Sequence, residues 1–97
     1  MARYPNLLNA QTTSANGVAI TLKRPLNVPR EGSLFIFGTF DGATVTIQDS
    51  MDGTEWFDVP SGAFTAKSRA NYQTHAQYVR AVVSGAGAST SVSAHYE

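Results

Sequence analysis

The chain has 97 residues, no cysteine, and seven basic residues balanced by seven acidic ones, so its formal net charge is zero. A chain of this length makes one domain with a thin core, burying only about 60–65% of its unfolded surface, and no disulfide framework compensates for that. Neutrality and the lack of a basic aromatic stripe argue against nucleic acid as a partner, and no apolar run approaches the ~18 residues of a membrane helix.

Met1–Ala10 lacks the apolar stretch of a signal peptide, so the sequence points to synthesis in a cytoplasm. Charged residues make up 14% of the chain, against about 25% in ordinary soluble domains. The surface must then consist of Ser, Thr, Ala, Gly, Asn and Gln, which suits contact with neighbours because few charges need desolvating.

Residues 1–16 show no sustained period and read as an extended N-terminal arm ahead of a domain over 17–97. Within the arm, Tyr4, Leu7 and Leu8 are apolar residues that a free tail would leave exposed. Either they fold back on the edge of their own sheet or they dock on another chain, and they are the candidate partner-binding residues. Gly17–Leu22 alternates as a strand, and 23–30, with Pro25 and Pro29, reads as a connection along an edge.

Two Asp-Gly pairs punctuate the next stretch. Asp41-Gly42 separates two strand-like runs by two residues, the composition of a type I′ hairpin turn. Asp52-Gly53 closes a second return, and both glycines are expected at positive φ. The pattern predicts strands over 33–40, 43–49 and 55–59 following one another as an antiparallel meander. Leu34-Phe35-Ile36-Phe37 is apolar on both faces, which marks a central strand or one covered by another segment or a partner. Trp56, the only tryptophan, reads as core, with a platform for a sugar ring as the alternative.

Residues 60–69 read as a loop anchored by Phe64, followed by strands over 70–74, 77–83 and 90–96, the last two joined by a Gly-rich hairpin loop. Tyr78, Arg80 and Val82 share one face of their strand, from which Arg80 reaches an acid of the 49–58 stretch or the rim of the sheet. About seven short strands with turns every 8–12 residues predict an all-β fold, a single antiparallel β-sandwich of jelly-roll or Ig-like type.

Charge is segregated along the chain. Residues 1–30 carry Arg3, Lys23, Arg24 and Arg30 without an acid, whereas 31–60 carry Glu31, Asp41, Asp49, Asp52, Glu55 and Asp58 without a base. Such asymmetry lets copies meet head to tail, and a homo-oligomer is expected. The competing account is that Asp gathers at turns for local hydrogen bonding, as at Asp41 and Asp52.

Catalytic signatures are sparse. His75 and His95 are the only histidines, no nucleophile-elbow pattern surrounds a serine, and His95 alternates with Ala94 and Tyr96 toward solvent. Asp49, Asp52, Glu55 and Asp58 offer carboxylates for glycoside hydrolysis or calcium, without EF-hand spacing and in a domain too small for a deep pocket. A non-enzymatic protein without cofactor or metal is expected.

Two resemblances complete the reading. Ser50-Met51-Asp52-Gly53-Thr54-Glu55-Trp56-Phe57-Asp58-Val59, with the later Ala76-Gln77-Tyr78-Val79-Arg80, resembles the hairpin and strand pattern of discoidin-like jelly rolls, which bind carbohydrate or membrane surfaces through spike loops. A broader similarity, from about Leu34 to Val92, is to small tailed-bacteriophage virion proteins. It is carried by Phe37–Gln48, Ser50–Trp56, Tyr78–Gly87 and Thr90–Val92. That resemblance implies a structural β-sandwich made in a bacterial cytoplasm and built into a virion. On this reading the chain is a capsid decoration or cement subunit on the capsid surface, or the capsid-proximal part of a head fibre, with the major capsid protein or other virion proteins as partners. A tail or head–tail adaptor component is the alternative within structural proteins, and a host-adhesion module that binds glycans is the alternative from another class.

Overall fold

The computed structural model describes residues 6–17, 19–21 and 30–96. Tyr4 and residues 23–29 of the edge connection expected over 23–30 lie outside them, and Arg30 opens a strand. The described residues form β-strands and no helix: β1 (Asn6–Gln11), β2 (Ala15–Asn16), β3 (Ile20–Thr21), β4 (Arg30–Thr39), β5 (Thr44–Ser50), β6 (Phe57–Phe64), β7 (Ser68–Thr74), β8 (Tyr78–Ser84) and β9 (Ser91–Tyr96). Two antiparallel sheets result. Sheet A has the order β1-β9-β4-β7, and sheet B the order β2-β8-β5-β6, with β3 also paired to β8. The architecture is sandwich-like, with nine strands rather than seven.

Period-two alternation builds the core. Val45 and Ile47 of β5 and Val79, Ala81 and Val83 of β8 face Leu34 and Ile36 of β4 and Val92, Ala94 and Tyr96 of β9, all 2% exposed or less. The first strand corrects the arm reading. Leu7 and Leu8, expected as candidates for docking on another chain, are buried in this chain's own core. Pairing of β1 with β9 slips in register between Asn6 and Leu8 and again before Gln11. Such irregularities let two adjacent leucines both turn inward, where strict alternation would expose one of them.

The meander is corrected too. Asp41 (φ 45°) and Gly42 (φ 86°) adopt the two positive φ values of a type I′ turn, closed by the Ala43 N–H donating to the Phe40 carbonyl at 2.8 Å. Yet β4 pairs only with β7 and β9, and β5 only with β6 and β8, so the turn is a corner between sheets and not a hairpin. The hairpin expected between β8 and β9 also fails, since these strands belong to different sheets. The Ser89 N–H donates to the Asp41 carboxylate at 2.8 Å, locking the β8–β9 crossing onto the β4–β5 corner.

β6 runs through Pro60, where a loop was expected. Pro60 is tolerated because β6 is an edge strand and no ladder partner is lost. Two steps along β5, Thr46 to Gln48, correspond to five along β6, Ala63 back to Asp58; within this irregular segment Gly62 is buried and Val59 packs on the core, as does Phe64 beyond it.

One polar cluster ties the layers together. Asp49, on the inward-facing parity of β5, accepts hydrogen bonds from the Tyr72 hydroxyl (2.7 Å) and the Thr74 hydroxyl (2.9 Å) of β7. The Tyr96 hydroxyl donates to the Tyr72 carbonyl at 3.0 Å, and the two rings meet at 5.2 Å. A half-buried carboxylate is satisfied by donors from the opposite sheet, which spares it the cost of an unpaired charge. Burial, reinforced by the Asp49 carboxylate, raises the Tyr72 pKa well above its ordinary value of 10.0.

Because the folded pKa exceeds the unfolded one, this stabilisation is complete below pH 10 and drains away as pH climbs past it. Tyr72→Phe should cost about 1.5 kcal/mol at neutral pH and reduce the alkaline loss, read as urea midpoints at neutral and alkaline pH. Two glycines give a second check. A Cβ at Gly42 would meet only the Gly85 carbonyl oxygen, at an unstrained 3.8 Å, so Gly42→Ala should cost only about 1 kcal/mol of left-handed strain. Gly38, at φ +120°, would drive a Cβ into the Ser91 carbonyl oxygen, so Gly38→Ala should destabilise distinctly more in the same titration.

Candidate functional site

The outward face of sheet A follows from the inward one. With Leu34 and Ile36 committed to the core, Phe35 and Phe37 must point to solvent, and they are 36% and 42% exposed. β4 is central, as its apolar sequence implied, with β7 and β9 beside it. Phe35 stands opposite Arg69 of β7 and His95 of β9. The Arg69 guanidinium lies 5.2 Å from the Phe35 ring centre, and His95 stacks on Phe37 with centroids 5.4 Å apart. His95 therefore points outward, as expected, and its ring meets an aromatic neighbour. Phe35, Phe37, Lys67 and Arg69 line an open groove of about 380 Å³. A second, more polar groove of about 590 Å³ runs along β4 and β7 past Glu31, Ser33, Asn71 and Gln73.

The β5–β6 connection forms another exposed feature. Ser50 Oγ accepts the Gly53 N–H at 2.8 Å, and Asp52 Oδ1 accepts those of Thr54 (2.8 Å) and Glu55 (3.0 Å). Those amides, Glu55 first, hold the Asp52 carboxyl below its ordinary pKa of 3.8. Gly53 has the expected positive φ of 80°, and a Cβ there would lie 3.6 Å from the half-buried Tyr78 ring, so the connection rests on Tyr78. So braced, the tip displays Met51 and Phe57, 60% and 63% exposed, among the exposed acids Asp52, Glu55 and Asp58.

Trp56 is not core. It is half-buried beside the tip, with the Arg80 guanidinium 4.2 Å over its ring. Arg80 Nε donates to Gln48 Oε1 at 2.9 Å, and Gln48 Nε2 donates to Asp58 Oδ1 at 2.8 Å. Arg80 thus reaches an acid of the 49–58 stretch only through Gln48, in a row across the outer face of sheet B. The aromatic part of the core is supplied instead by Phe40, Tyr72 and Tyr96. His75 is exposed on the β7–β8 connection, away from β9, so the histidines do not converge. Among the described residues no group of three His, Cys, Asp or Glu is placed to hold a metal ion.

Sequence reasoning found Leu34–Phe37 as a two-faced strand but missed the partners Arg69 and His95, which only sheet register brings beside it. Met51 and Phe57 were also missed, although their place in a polar turn was a usable signal. Comparison with known proteins finds no matching family model, no similar curated protein and no similar solved structure.

With Trp56 at the surface, Trp56→Ala should cost about 1 kcal/mol, the scale of a partly exposed cation–π contact, and not the 3–5 kcal/mol of a core aromatic. Thermal or urea unfolding of the variant reads the difference.

Proposed function

We propose that this chain is a non-enzymatic structural subunit of a tailed-phage virion, a capsid decoration or cement protein that binds and bridges subunits of the major capsid shell. The observation that carries this reading is the exposure of aromatic side chains at two separate places on one small sandwich. Phe35 and Phe37 stand on the outward face of sheet A, and Phe57 with Met51 on the β5–β6 tip. One sticky patch suits capture of a single partner; two suit bridging. Exposed apolar clusters of this kind mark interaction surfaces. Each large side chain buried contributes about 1.5–3 kcal/mol, modest singly and substantial when many copies hold one shell. The resemblance across Leu34–Val92 supports the same setting.

The glycan-binding alternative rests on Trp56. Its indole is at the surface, but Arg80 lies over the ring at 4.2 Å, where a sugar would stack, and this favours the structural role.

Shells of the phage that encodes the chain, prepared without it, supply the test. The purified protein should co-sediment with them saturably and raise their melting temperature, and Phe57→Ser should reduce both effects while the fold persists. Absence of binding to shells and tails, together with selective retention on a glycan array, would replace this function with host adhesion.

A further inference from the structure

We propose that the two patches are partners of each other, so that copies of this chain join head to tail, the Phe35–Phe37 face of one copy seated on the β5–β6 tip of the next. This rests on the reading of both patches as docking surfaces: between copies the patches occupy each other, and the face and tip left free at the ends of a row are the ones that meet the shell. Charge complementarity selects it. On the sheet A face, Arg69 and Lys67 border the groove beside Phe35 and Phe37, and among the described residues neither has a carboxylate partner. Glu31 lies toward the other end of β4, opposite Gln73.

The tip has the opposite rim. One oxygen of Asp52 is occupied by the Thr54 and Glu55 amides, and one oxygen of Asp58 by Gln48. Glu55 and the second Asp58 oxygen have no cationic partner among the described residues. The neighbouring cation, Arg80, is turned onto Trp56 and Gln48. Phe57, at 63% exposure, is a projecting aromatic, and the groove between Phe35, Phe37, Lys67 and Arg69 is a recess suited to receive it.

Symmetric pairing does not satisfy these rims. Face on face centred on the Phe35–Phe37 groove sets Arg69 and Lys67 against their own copies, and tip on tip sets acid against acid, whereas face on tip brings positive to negative around an apolar centre. The contact is therefore heterologous and leaves one face and one tip free at the ends, closing into a ring or extending as a row.

Sedimentation velocity of the isolated full chain, without shells, tests this. The wild type should associate with rising concentration and dissociate as salt is added. Phe37→Glu blinds the face and Phe57→Ser blinds the tip; each variant alone should be monomeric with an unchanged circular dichroism spectrum. Their equimolar mixture should form dimers and stop there, because each dimer ends in two blinded patches. A wild type that stays monomeric at its highest soluble concentration overturns the proposal, as do blinded variants that still self-associate or a mixture that does not pair. A monomer that nevertheless binds shells would keep the cement function and sink only the head-to-tail contact.

Discussion

The two sheets share one core of Val, Ile, Leu, Ala, Phe and Tyr side chains, and the register of that core decides everything outside it. In a strand, parity is not negotiable: turning Leu34 and Ile36 inward turns Phe35 and Phe37 outward. The same parity sends Arg80, Gln48 and Asp58 to the outer face of sheet B, where they form one hydrogen-bonded row. The exposed Phe35–Phe37 face is thus a by-product of core formation in which large apolar side chains occupy positions that solubility alone would give to polar ones. Aromatic residues kept at such positions carry a cost in stickiness that a contact partner removes.

Polar groups hold the ends of the sandwich where aliphatic packing runs out. At one end Asp49 gathers hydroxyls from the opposite sheet. At the other, Asp41 accepts from the β8–β9 crossing while its own turn swings the chain from sheet A to sheet B. Asp52 does the equivalent within the β5–β6 connection, stiffening the segment that displays Met51 and Phe57. Three aspartates in one acidic stretch therefore have three different structural duties. Glu55 and Asp58 retain charge that no described cation neutralises.

Much of this was legible from residues alone, and the errors share one cause. The alternation of β5, β8 and β9 gave strands close to their observed limits, and Asp-Gly gave both turns and their positive φ. What the local pattern could not encode was which sheet a strand joins. A type I′ turn has the same composition whether it closes a hairpin or rounds a corner, so the β4–β5–β6 meander was a sound inference from the wrong scale of information. Leu7 and Leu8 escaped because a register slip breaks the alternation by which strands are recognised. Trp56 misled because its covering group, Arg80, comes from β8, beyond the reach of any local window. Residues 60–69 read as a loop, but a proline and small residues exclude only a central strand and not an edge such as β6.

Pairing of β1 with β9 has a consequence for how the chain comes to exist. Leu7 and Leu8 find their place only beside Val92, Ala94 and Tyr96, so the early strand emerges from the ribosome with nothing to pair with. Closure of sheet A must wait until β9 is made, and contacts this distant in sequence are slow to form. Meanwhile two adjacent leucines and the two-faced β4 are exposed together in an unfinished chain, which places the greatest danger of aggregation in the interval of synthesis, before the finished surface exists.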